Sequence, residues 1–145
     1  MCALGTSISN PRHCTCRVCV LSFSCALQSS LEEGCAAIDT LLDKKQDIQI
    51  NDKSMVWNTD LIEAMELENL LINSSVTMHS AEHRKESRGA HSREDFKDRN
   101  DKEWMKHTVA HWNEDTGRTS ISYRPVKMMP LDKEMPHIPP KARVY

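Results

Sequence analysis

Asp60 to Glu86 reads DLIEAMELENLLINSSVTMHSAEHRKE, and the spacing of its apolar residues decides the fold class. On a helical wheel Leu61, Met65, Ile72 and Val76 fall on one stripe, while Ala64, Leu67, Leu71 and Met78 fall on another displaced by roughly a third of a turn. The pattern predicts a helix that starts near Asp60, has Glu63 as its capping partner and runs to about Glu86. Two apolar faces imply packing neighbours on both. Glu68 and Ser75 lie between the stripes. Glu68 is expected to reach solvent at the edge of a groove, the alternative being a buried cation drawn from Arg84, Arg88 or Arg93.

Upstream, Ser30 with Glu33 forms a capping-box pattern, and Leu31, Cys35, Ile38 and Leu42 recur at helical spacing, so a shorter helix with one buried stripe is predicted. Asp47 to Ser54 reads as a polar connection anchored by Ile48 and Ile50. Trp57 is expected to pack as a lid over the start of the second helix, and Trp104 and Trp112 to serve as core anchors. Downstream, HTVAHW and TSISYRPV flank NEDTGR, two β-rich runs around a glycine-containing turn, which predicts a hairpin. Pro125, Pro130, Pro136, Pro139 and Pro140 then impose an extended tail. The fold class is mostly α: a small helical bundle over 30–105, then a short β-hairpin and an extended Pro-rich tail over 106–145. A Cys/Ser-rich segment over 1–29 precedes it and is expected to be disordered.

The 145 residues and near-balanced charge of −2 suit a single domain and give nucleic-acid binding no support. Aromatic residues make up only 5%, so Leu, Ile, Val and Met must build the core. No apolar run approaches the roughly 20 residues that span a bilayer.

The first thirty residues hold five of the six cysteines, and no acidic residue precedes Glu32. This segment has three readings: a mitochondrial presequence, a secretory leader centred on Val18 to Leu27, or sequence from outside the ancestral coding frame, which we favour. Within it His13, Cys14, Cys16 and Cys19 form HCTCRVC, and Cys16 with Cys19 has the CxxC spacing of zinc and redox sites. Even with Cys25, no second matching pair completes a four-ligand zinc site. No βαβ setting follows for a redox pair, so these cysteines read as incidental.

Arg84 to Phe96, RKESRGAHSREDF, concentrates anion-binding groups. Arg84, Arg88 and Arg93 each offer a planar fork of donors, His91 adds a donor near neutral pH, and Gly89 permits a tight turn or close approach. On composition alone, such charge after a helix is a solvated face. Its order among MVWNTDLIEAMELENLL (Met55 to Leu71), EWMKHT (Glu103 to Thr108), YRPV (Tyr123 to Val126) and PPKARVY (Pro139 to Tyr145) points further. From about Leu31 onward the chain resembles the C-terminal region of the flavoprotein subunit of mitochondrial succinate dehydrogenase. LEEGC, LENLLIN and EWMKHT look closest to the plant or protist type.

That resemblance implies a helical bundle packed against flavin-binding and capping domains, in a subunit that oxidises succinate to fumarate with FAD and passes electrons toward quinone. It implies an iron-sulphur subunit and assembly factors as partners, and the matrix face of the inner mitochondrial membrane as location. Arg88 would approach the flavin side of the domain interface, with His91 and Arg93 completing or orienting a basic wall. Arg143 would pin the tail or meet an assembly partner. The family's catalytic residues lie upstream, so no residue here is expected to be catalytic. Gly5, Gly34, Gly89 and Gly117 cannot form a GxGxxG cradle, so the chain alone is expected to bind no FAD and to be inactive. We therefore read it as a fragment. His83 stands where the family more often has alanine, which puts close packing there in question. Two other functions compete: an orphaned helical module that binds proteins through its uncovered apolar surface, and metal binding by the amino-terminal cysteines.

Overall fold

A computed structural model describes residues 27–132 and 134–141. The described order is helix α1 (Gln28–Asp43), a 3-10 turn (Lys44–Asp47), helix α2 (Thr59–His83), and strands β1 (Lys106–Asn113) and β2 (Arg118–Pro125). The amino-terminal cysteine cluster with His13, and Arg143, lie outside these residues.

The core forms where α1 crosses α2. Leu31, Cys35 and Ile38 of α1 meet Leu67, Leu71 and Met78 of α2, with Leu41, Leu42, Ile48 and Ala81 packed around them. Burial of these aliphatic side chains supplies the main drive for the two helices to associate. Gly34 brings the helices close: a Cβ there would lie 2.9 Å from Met78 Cε, so the thioether fills the space a larger residue would take. Ile48 fulfils its expected anchoring role.

Cys35 sits in this interface, where burial first, then the nearby Glu82, Asp39 and Glu32 carboxylates, push its thiol up to about 12. The thiolate is the reactive form, so Cys35 is expected to resist alkylation at pH 8 in the folded chain and to react on denaturation. Peptide mapping after iodoacetamide treatment, with and without denaturant, checks this.

Both helix starts differ from the sequence expectation. Neither Ser30 nor Glu33 caps α1: its N-cap is Leu27, which has no capping side chain. The Gln28 amide instead donates to Asp95 Oδ2 at 3.2 Å. A residue 67 positions away thus does the work of a local box, and no local pattern can announce that. For α2 the cap is Asn58 rather than Asp60, its Oδ1 accepting from the Leu61 amide at 2.8 Å. Asp60 turns back to accept from the Asn51 and Asp52 amides at 2.6 and 3.1 Å.

Of the two stripes on α2, the one carrying Leu67, Leu71 and Met78 meets α1; on the other, Leu61 and Met65 are exposed. Ser75 is buried, and its hydroxyl lies 3.0 Å from that of Thr119, tying α2 to β2. Glu68 is exposed and pairs with Lys45 of the 3-10 turn, not with any of the three arginines.

Trp57 is no lid. Its φ of 56° places the backbone in the left-handed region, and the indole points outward at 92% exposure. Trp104 and Trp112 are half-buried and stand outside the apolar cluster, so neither anchors the core. Trp104 has a different role, as a platform beneath cations. Arg84 lies 5.6 Å and Lys106 4.6 Å from its ring centre, and Tyr123 meets it edge-on at 6.0 Å.

β1 and β2 pair antiparallel from Lys106↔Pro125 to Asn113↔Arg118. The expected NEDTGR turn closes them: Asn113 Oδ1 accepts from the Asp115 and Thr116 amides at 2.9 and 3.1 Å. Gly117 supplies the left-handed residue, with φ at 61°. Arg118 Nη2 donates to Asp43 at 3.0 and 3.2 Å, so the hairpin tip rests on the end of α1. The described part of the tail from Val126 contains no helix or strand, as its prolines require.

Candidate functional site

The Arg84 to Phe96 stretch begins where α2 stops. The helix ends at His83, short of the predicted Glu86, because backbone at Arg84 turns extended and carries Glu86 into the interior. Glu86 is 1% exposed. Arg84 Nε and Nη2 donate to its Oε1 at 3.0 and 2.6 Å. Arg88 grips it side-on, Nε to Oε1 at 2.8 Å and Nη2 to Oε2 at 3.1 Å, and the Asn100 amide adds a bond to Oε2 at 3.1 Å. Burial alone would raise the Glu86 carboxyl, but the bonds from Arg88, Asn100 and Arg84 together hold it below its ordinary value.

This carboxylate was not singled out by sequence reasoning, yet it organises the site. Arg84 is fixed further by the Lys106 and Trp104 carbonyls at 3.2 and 2.9 Å and by Thr108 Oγ1 at 3.1 Å. Arg88 also donates to Asp101 Oδ1 at 2.6 Å, and Arg99 pairs with the other oxygen of Asp101 at 2.9 Å. The Glu86 bonds raise the Arg88 guanidinium above its usual value, so its positive charge is permanent.

Arg88 and His91 exchange backbone hydrogen bonds at 2.9 and 3.1 Å across Gly89 and Ala90. Gly89 has φ of 60° in the first central position, the conformation a type II′ turn demands and glycine permits. The turn directs Arg88 and His91 to one side. His91 Nε2 lies 3.1 Å from the Arg84 carbonyl, which fixes the ring.

Arg93 has a different place from the other two arginines. Its side chain is fully buried, and Nη1 donates to the Ala81, Glu82 and Arg84 carbonyls at 3.5, 3.3 and 3.4 Å, capping the end of α2. Nε and Nη2 form a bidentate pair with Asp95 at 2.9 and 2.7 Å, and Nη2 also reaches Gln28 Oε1 at 2.6 Å. The start of α1 and the end of α2 are thereby locked together. His83, bulkier than alanine, is accommodated because it is half-exposed on the last turn, its Nδ1 3.0 Å from the His79 carbonyl.

The Arg93 bonds hold the Asp95 carboxyl well below its ordinary 3.8, at about 2. A carboxylate depressed by folding contributes stability above its unfolded value and loses it as pH falls through the folded one. This contribution is therefore expected to vanish between about pH 4 and pH 2, with Glu86 acting in the same direction. Acid titration followed by far-UV circular dichroism checks it: Asp95→Asn should remove part of the pH dependence there.

Arg84, Arg88, His91, Trp104, Lys106 and Ala81 line one open cleft of ≈ 590 Å³. Lys106 Nζ lies 4.1 Å from the Tyr123 ring centre as well as over Trp104, so an ammonium sits beside the two guanidinium groups. Chemically the cleft can receive an anionic or carbonyl-bearing group over an apolar floor. Among the described residues no cluster of His, Cys, Asp and Glu suits a metal ion, and no helix is long and apolar enough to cross a membrane.

A family model described as fumarate reductase flavoprotein C-term matches residues 26–145. The succinate dehydrogenase [ubiquinone] flavoprotein subunit, mitochondrial, of Oryza sativa subsp. japonica is 56% identical over 118 residues, covering 81% of this chain and 18% of the relative. The succinate dehydrogenase flavoprotein subunit of Rickettsia bellii is 51% identical over 118 residues, covering 81% and 20%. Among solved structures, a FrdA variant of E. coli quinol fumarate reductase superposes with a TM-score of 0.67 at 33% identity, over 74% of this chain and 19% of that one. The chain thus spans about a fifth of the length of these relatives. It belongs to the succinate dehydrogenase and fumarate reductase flavoprotein family, and what it carries is that family's C-terminal region.

Proposed function

We propose that this chain is the C-terminal supporting module of a mitochondrial, succinate-oxidising flavoprotein subunit, and that its Arg88 cleft faces the flavin-binding part of that subunit. The observation that carries this is the buried Glu86, which fixes Arg84 and Arg88 on one wall of an open cleft. Such charges are already in place when a neighbour arrives and need no reorganisation.

FAD itself does not fit this chain as a resident group. Gly34, Gly89 and Gly117 are far apart in sequence, and among the described residues no glycine-rich turn opens a helix to cradle a pyrophosphate. The residues here act at the rim of a cofactor held elsewhere. Arg88 supplies a fixed positive charge, His91 flanks it across the turn, and Arg93 orients both from within by holding the end of α2. The matrix face of the inner membrane, with an iron-sulphur subunit and assembly factors as neighbours, is the setting this reading implies.

The test is a chimera of the rice subunit whose matching C-terminal region is replaced by residues 28–145 of this chain. It should retain flavin and oxidise succinate. Arg88→Leu should lower retained flavin or succinate turnover by about tenfold or more, and Arg88→Lys should restore part of it, because charge rather than packing is at stake. Equal flavin content and turnover in Arg88→Leu and the parent chimera would overturn the assignment of Arg88.

A further inference from the structure

Among the described residues the hairpin is a sheet of two strands, so each strand has one neighbour and one open edge. On β1 that edge is identified by its carbonyls. The Lys106 carbonyl accepts from Arg84 Nη1 at 3.2 Å, so it turns away from β2, where Pro125 stands opposite with no amide to offer it. Backbone groups alternate sides along an antiparallel strand, so the amides and carbonyls of Thr108, Ala110 and Trp112 point the same way as the Lys106 carbonyl. Ladder groups left like this are a template for another strand. The sheet face beside them is also incompletely covered. It is the one turned to α2, since Thr119 on it meets Ser75, yet Ala110, Trp112, Thr119 and Ile121 are only half-buried.

We propose that Val18 to Cys25 of this same chain adds to the open edge of β1 as a third strand. Composition alone predicts disorder over 1–29, but VCVLSFSC has a strand's alternation: Cys19, Leu21, Phe23 and Cys25 share one face, Val18, Val20, Ser22 and Ser24 the other, with neither proline nor charge. Its length matches the eight residues of β1. The point where the segment joins the fold selects this edge. Leu27 is extended, with φ −92° and ψ 150°. Gln28 Oε1 accepts from Arg93 Nη2 at 2.6 Å, Arg93 Nη1 donates to the Arg84 carbonyl at 3.4 Å, and Arg84 reaches the Lys106 carbonyl from the open side. A strand that ends there arrives at the base of β1 while β1 departs from it, so the two run antiparallel. Pairing Cys25 with Lys106 and Val18 with Asn113 sets Phe23, Leu21 and Cys19 opposite Thr108, Ala110 and Trp112, on the half-buried face. It also brings Arg17 to Glu114 at the hairpin tip, where Glu114 and Asp115 are exposed. A slip of one residue would turn Leu21 and Phe23 to solvent. The family model begins at residue 26, so the third strand belongs to this chain and not to the matched region. It seals an edge that would otherwise recruit other chains.

Amide hydrogen exchange read by NMR on the 145-residue chain tests this. The Ala110 and Trp112 amides should exchange slowly in the parent and about tenfold faster or more in Leu21→Pro, which removes an amide from the ladder. The Leu71 and Met78 amides should stay slow in both, which reports that the bundle is folded. Leu21→Val, which keeps the amide, and Ser7→Pro, outside the strand, should retain the protection at Ala110. Slow exchange at Ala110 in parent and Leu21→Pro alike, or fast exchange in both, would overturn the third strand. So would protection that grows with protein concentration, because a second copy would then occupy the edge.

Discussion

Arg93→Ala is expected to destabilise the chain by about 2–4 kcal/mol, because the carbonyls at the end of α2 and the Gln28 side chain lose a buried donor at about 1–3 kcal/mol each. The substitution takes the guanidinium from Asp95, which keeps the Gln28 amide, leaves Gln28 Oε1 without that donor, and strips the cap from the Ala81, Glu82 and Arg84 carbonyls. Whole domains are stable by only about 5–15 kcal/mol, so this loss would leave a large fraction unfolded at modest temperature. Urea denaturation followed by circular dichroism measures it. Arg93→Lys should recover little, because an ammonium cannot reproduce the bidentate pair and reach the helix carbonyls together. Near-native stability of the lysine variant would show that the charge, not the fork, is what matters.

The second large effect belongs to Glu86. Glu86→Gln keeps the shape and removes the charge, so Arg84 loses the one carboxylate it pairs with among the described residues, while Arg88 keeps Asp101. A loss of about 2–4 kcal/mol is expected, since the guanidinium groups stay largely buried with weaker acceptors. The double variant Arg84→Met with Glu86→Gln should be less damaging than the two single losses added together, because it removes a stranded cation as well as its partner. A double-mutant cycle in urea reads the coupling. Strict additivity would mean that Glu86 does not organise the arginines.

Much of the architecture was legible because it rests on local rules. Leu67, Leu71 and Met78 mark the buried side of α2 through their spacing, and NEDTGR marks the hairpin through the Asn113 and Gly117 turn chemistry. The family was legible too, from the order of its motifs. The site was only partly so. Three arginines in one segment looked alike, whereas the fold buries Arg93, exposes part of Arg88 and fixes Arg84 between them. What separates them is tertiary: Glu86 lies next to two of them and Asp95 beside the third. The same limit explains α1, whose start depends on Asp95, and Trp57, whose left-handed backbone turns the expected lid outward.

The Gln28–Asp95 contact bears on how the chain acquires its shape during synthesis. The first turn of α1 leaves the ribosome 67 residues before the carboxylate that secures it, and closing so long a loop carries an entropic cost that the intervening helix must offset beforehand. The helical hairpin therefore emerges with its free ends unfastened. A nascent product that stops short of Asp95 keeps the apolar seam between its helices but lacks the clasp, which makes such a product an early substrate for proteolysis.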